Sequence, residues 1–137
     1  MVDDVVLNKA STIERCVARV HEEYGDGVGF DDDLRRQDAL VLNLLQACET
    51  AIDLAMHVVR VRQLGVPQSG RHAFAILAEA GVLEPASSED LQRMVGFRNV
   101  AVRCDQDLEM EVVHAIVNEE LPTFEAFTSA LLRQDRR

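Results

Sequence analysis

Over roughly the first 23 residues, Val2, Val5, Val6, Ile13, Cys16, Val17 and Val20 recur at three- and four-residue steps. Positions so spaced share one face of a helix, so the pattern predicts an amphipathic first helix. It stops at Tyr24-Gly25-Asp26-Gly27-Val28-Gly29, where three glycines favour a turn. Asp31, Asp32 and Asp33 then offer N-cap oxygens and first-turn negative charge to a second helix. That helix is expected over residues 33–64, on a stripe of Leu40, Val41, Leu44, Leu45, Cys48, Ala51, Ile52, Ala55, Val58 and Val59, with Gly65-Val66-Pro67 ending it. A shorter helix over 70–80 carries Phe74, Ile76 and Leu77, and Gly81 stands where a C-terminal cap would. Pro85 and the run Ser87-Ser88-Glu89-Asp90 predict the start of a fourth helix, with capping oxygens and early acidic residues. Leu91, Met94, Val95, Phe97, Val100, Ala101 and Val102 form its apolar set. A last helix over 108–132 has Val112, Val113, Ile116, Val117, Phe124, Phe127 and Leu131 on one face, and Pro122 is expected to bend it. No segment alternates like a strand, and no repeat or long linker divides the chain. The expectation is an all-α bundle of about five helices forming a single domain over 1–137.

Length and composition agree with that picture and narrow the function. A chain of 137 residues is one ordinary domain, long enough to bury about two-thirds of its unfolded surface. Apolar residues make up 47% and aromatics only 4%, which suits helices packed closely through Ala, Leu, Val and Ile. The 24 acidic against 14 basic side chains give a formal charge of −10, which excludes broad, sequence-independent adhesion to nucleic acid. Any contact with such a polyanion must be local. Lys9 is the one lysine among the 14 basic residues, so the others are arginines, whose planar fork suits phosphate and carboxylate. Three widely spaced cysteines without a CxxC pair fit a reducing cytoplasm. The N-terminus lacks a basic region followed by an apolar core, and no uninterrupted apolar run approaches the roughly 20 residues of a membrane span, so a cytoplasmic location without membrane contact is expected.

The segment Met94-Val95-Gly96-Phe97-Arg98-Asn99-Val100-Ala101-Val102-Arg103-Cys104-Asp105 carries the strongest chemical signal. It resembles the signature helix of HepT-like HEPN proteins, in which an Arg-Asn pair is followed by a His, one further residue and a Tyr. Tyr-Gly-Asp-Gly after the first helix and Leu-Gly-Val-Pro-Gln-Ser after the second are also similar to family features, and the resemblance spans nearly the whole chain. It implies a HEPN-type helical bundle that forms a homodimer, with the motifs of two copies facing one cleft. It further implies metal-independent endoribonuclease activity and a minimal nucleotidyltransferase antitoxin that silences the toxin by adding AMP to the motif Tyr.

Arg98 and Asn99 match the motif as candidate catalytic residues. Arg103 stands in place of the His and Asp105 in place of the Tyr. Attack by a ribose 2′-hydroxyl needs a base for its proton, an acid for the leaving oxygen and a cation for the charge growing on phosphorus. Arginine stays protonated, so Arg103 can hold a phosphate but cannot serve as that base. Cleavage is therefore expected to be absent or severely reduced, with Arg98 left to clamp phosphate and Asn99 to orient the motif helix. Asp105 lacks the phenolic hydroxyl that accepts AMP, and Tyr24 lies in another segment. The alternative function is a non-catalytic binding or substrate-presenting subunit of a nucleotidyltransferase.

Other patterns lead to bland expectations. Arg103 could equally pair with Asp105, Asp107 or Glu109. His21, His57, His72 and His114 are scattered with no i, i+4 pair, so no metal site is expected, and no cofactor either. The aspartate triplet lacks the glycine and terminal glutamate of a calcium loop, and the glycine run lacks the Lys-Ser/Thr of a phosphate loop.

Overall fold

The computed structural model describes residues 3–103 and 110–135, with the backbone alone for 99–103 and 135. Among these residues every regular element is helical: α1 (Asp4–Tyr24), a 3-10 turn (Phe30–Asp32), α2 (Leu34–Val61), α3 (Gly70–Glu79), α4 (Pro85–Arg103), α5 (Met110–Ala115), a π segment (Ile116–Glu120) and α6 (Leu121–Asp135). The all-α architecture read from the periodicity is the one found, with α5, the π segment and α6 in place of the fifth helix.

α1 and α2 run antiparallel, since Asp3 at the head of α1 meets His57 near the tail of α2 and Lys9 faces Asp53. Their connection is stitched by Arg36, which donates from Nε to the Glu23 carbonyl at 2.8 Å, from Nη2 to Tyr24 at 2.8 Å and from Nη1 to Val28 at 3.2 Å. A helix end leaves its last carbonyls without partners, and this guanidinium supplies donors for them. α6 packs along α1, while α3 and α4 pack on each other and on α2. Phe30, Phe74, Phe124 and Phe127 are fully buried in one connected apolar cluster, with Phe74 and Phe127 edge to face at 5.6 Å between ring centroids. By length and composition α2 is the one described helix able to cross a membrane, and here it is the core helix, with Leu40, Leu44 and Leu54 buried.

Several boundaries differ from expectation. α2 ends at Val61, before Gly65, because Gln63 takes the left-handed conformation (φ 54°) and Leu64 N–H closes on the Val59 carbonyl at 2.9 Å. α4 begins at Pro85, whose fixed φ and missing N–H suit a first helical position. Ser88 is not a cap: it is buried, and its hydroxyl donates to the Phe74 carbonyl at 2.9 Å, locking α4 onto α3. The effect of Pro122 is the π segment ahead of it, in which Leu121 N–H reaches back five residues to Ile116. Proline has no N–H for the carbonyl four residues earlier and its ring crowds it, so the turn widens. Val5 and Val112, expected in the core, are 38% and 42% exposed. The start of the last helix at 108 and the side chains of Val2, Val100, Ala101 and Val102 lie outside the described residues.

Candidate functional site

α4 carries the motif. Its apolar face buries Leu91, Met94, Val95 and Phe97, which fixes the rotation of the helix and turns Arg98 toward α2. There Arg98 Nη1 donates to Glu49 Oε1 at 2.5 Å. The Arg98 side chain is 28% exposed, while its Nε is buried and has no hydrogen-bond partner among the described residues. A guanidinium so placed has one edge committed and one donor unspent. Because Glu49 is half exposed, the ion pair contributes about 1 kcal/mol or less, so a phosphate can displace the carboxylate. Below lies Cys48, whose thiol is pushed up to about 12 by burial, with Glu49 adding to the rise and Arg98 opposing it. That thiol is no nucleophile.

Asn99 and Arg103 lie on α4, with side chains outside the described residues. Cys104 and Asp105 lie outside them altogether. Helical register puts positions 98 and 103 about 140° apart around α4, so they do not share a face, whereas positions 96, 99 and 103 fall at i, i+3 and i+7 on one.

A second cluster was invisible in the sequence. Tyr24 Oη lies 2.5 Å from His114 Nδ1, and His114 Nε2 lies 2.7 Å from Asp31 Oδ1. A carboxylate can only accept, so Nε2 carries a proton toward Asp31, and in the neutral ring Nδ1 then accepts from the phenol. Phe30 completes the cluster, its ring 5.1 Å from Tyr24 and 5.9 Å from His114 between centroids. Of the three aspartates expected to cap α2, Asp33 does so, accepting from Arg36 N–H at 3.1 Å, and Asp31 instead ties the loop to α5. A third polar contact joins Asp3 Oδ2 to His57 Nε2 at 2.6 Å, while Arg60 donates to His57 Nδ1 at 3.2 Å. The hydrogen bond from His57 lowers the Asp3 carboxyl below its ordinary range, against a smaller opposing effect of burial. Among the described residues no three His, Cys, Asp or Glu side chains converge as metal ligands would.

The chain has close counterparts among known proteins over nearly its whole length. The Ribonuclease HepT-like family model matches residues 13–131. The chain belongs to the HepT-like ribonuclease family. It is 41% identical over 130 residues to the mRNA nuclease HepT of Shewanella oneidensis, covering 95% of this chain and 98% of that protein. Among solved structures, a toxin–antitoxin crystal structure with AMP-PNP superposes with a TM-score of 0.90 at 41% identity, covering 94% of this chain and 98% of that one. A tri-AMPylated HEPN toxin of Shewanella oneidensis in complex with MNT antitoxin superposes with a TM-score of 0.89 at 41% identity, over 94% and 97% of the two chains. This HepT-like chain thus has the HEPN toxin fold.

Proposed function

We propose that the chain acts, as one HepT-like domain over 1–137, as the toxin-type subunit of a toxin–antitoxin pair, with an RNA-binding cleft that has lost its turnover. The observation that carries this reading is the full-length likeness to an mRNA nuclease combined with Arg103 in the position of the motif histidine. The reaction class is metal-independent RNA cleavage, in which Arg98 clamps the scissile phosphate and Asn99 orients the motif helix. A guanidinium at position 103 stabilises charge on phosphorus but cannot take the proton of the 2′-hydroxyl, so the step that needs a base stalls. The chain pairs with itself: positions 98 and 103 face different ways on one helix, and a second copy brings the complementary motif to the same cleft. Its partner is a minimal nucleotidyltransferase antitoxin, as in the solved relative complexed with MNT antitoxin. Asp105 cannot accept AMP as a phenol does.

The test compares RNA cleavage by the purified chain with that of an Arg103→His/Asp105→Tyr variant, alongside its elution with and without the antitoxin. The expectation is no cleavage by the natural sequence, cleavage by the variant, and an AMP mass increment on the variant when antitoxin and ATP are present. Robust cleavage by the natural sequence that survives stringent purification refutes the reading. A folded variant that binds antitoxin but never cleaves favours the non-catalytic subunit, for which the loss of both motif residues already speaks.

A further inference from the structure

Arg71 stands out among the basic side chains. It projects from the first turn of α3 and its Nη2 lies 2.6 Å from where a Cβ on Gly96 would be, so the guanidinium rests directly on the bare backbone of α4. Arg71 is exposed, and no carboxylate or other polar group among the described residues pairs with it. Among the described arginines Arg19, Arg93 and Arg98 have a carboxylate partner, whereas Arg71, like Arg15, Arg35 and Arg133, has none, and of these four only Arg71 lies against the motif helix at a glycine. The position also matters. Gly96 shares one face of α4 with positions 99 and 103, and seven residues at 1.5 Å each put about 10 Å between the two ends of that face. Absence of a side chain at 96 is what lets Arg71 reach the head of the motif face.

We propose that Arg71 is a further phosphate-holding residue of the RNA cleft, binding a backbone phosphate at the head of the α4 face that leads to Asn99 and Arg103. The inference rests on the RNA-binding reading above and adds to it a residue outside the family motif. A guanidinium with one nitrogen set against a helix and its other donors open offers a fork to an incoming phosphate. The acidic surface elsewhere confines the strand to this track.

The experiment titrates a fluorescently labelled single-stranded RNA with the whole protein by anisotropy across a salt series. It uses the natural sequence, Arg71→Gln, Gly96→Ala and, as a control away from α4, Arg19→Gln. Loss of one phosphate contact is expected to weaken binding by several-fold to about tenfold at low salt and to reduce the slope of log affinity against log salt by about 0.7. Gly96→Ala is expected to act in the same direction, because a methyl group at 2.6 Å must push the guanidinium off the helix. Its thermal midpoint should meanwhile rise or hold, since alanine favours a helix interior, which separates binding from folding. Arg19→Gln should match the natural sequence. Unchanged affinity and salt slope in Arg71→Gln, while the natural sequence binds RNA, overturns this inference alone. Loss of antitoxin binding with RNA binding intact overturns it in favour of a protein contact. Failure of the natural sequence to bind RNA overturns both this inference and the reading beneath it.

Discussion

Tyr24→Phe isolates a single hydrogen bond in the Tyr24–His114–Asp31 cluster. The phenylalanine ring keeps the contacts with Phe30 and His114, whose centroids lie 5.1 and 5.4 Å away, so only the hydroxyl is lost. A net hydrogen bond is worth about 1 kcal/mol, and leaving the part-buried Nδ1 of His114 without its donor adds a fraction of the 1–3 kcal/mol cost of an unsatisfied group. The expected loss is about 1–2 kcal/mol. His114→Ala removes the bond to Asp31 and both ring contacts as well, and should cost about 2–3 kcal/mol. The double variant should fall short of the sum by about 1 kcal/mol, the coupling between directly bonded side chains. With an unfolding entropy of about 2.1 cal/mol/K per residue, each kcal/mol moves the Tm of a chain of this size by roughly 3–4 °C. Urea denaturation at constant m, supported by thermal melts, measures all four corners of the cycle. Additivity within about 0.3 kcal/mol would show that the two residues do not cooperate, and the account of how α5 is anchored to the α1–α2 loop would be wrong.

Glu49→Gln removes the carboxylate that occupies Arg98 and should raise RNA affinity up to about fivefold, matching a pair worth at most about 1 kcal/mol; no change in anisotropy titrations contradicts the exchange of Glu49 for phosphate. Cys48, with its thiol pushed up to about 12, should resist iodoacetamide at pH 8 in the native protein and react only after unfolding, as read by peptide mass mapping. Folded Asp3 binds its proton at lower pH than the unfolded value of 3.8, so its contact with His57 contributes fully above that value and is lost as pH falls through the lowered one. Asp3→Asn should therefore flatten the stability profile below about pH 4, and identical acid limbs in the two proteins would remove His57 as its cause.

Periodicity of apolar residues was enough to predict α1 to α4 nearly to their ends, because a helix face that must be buried leaves its mark at every third or fourth position. The motif segment is likewise local, since Arg98 and Asn99 follow one another along α4 and helical register alone sets the faces of positions 98 and 103. Local signals also placed the cap of α2 within the run Asp31-Asp32-Asp33, three residues or so from its partner, and the packed structure selects Asp33. What they could not reach was pairing over distance. Tyr24 and His114 are 90 residues apart, and Arg98 and Glu49 are 49 apart, so nothing in local composition connects them. Tertiary packing likewise decided Ser88, which reads as a cap but is drawn into the α3–α4 interface, and Gln63, which takes the left-handed turn that Gly65 was better suited to by residue type. Apolar burial along a helix is written in neighbours. The partner of a polar side chain is set by where the packed helices place it, and Arg71 over Gly96 is known only from that packing.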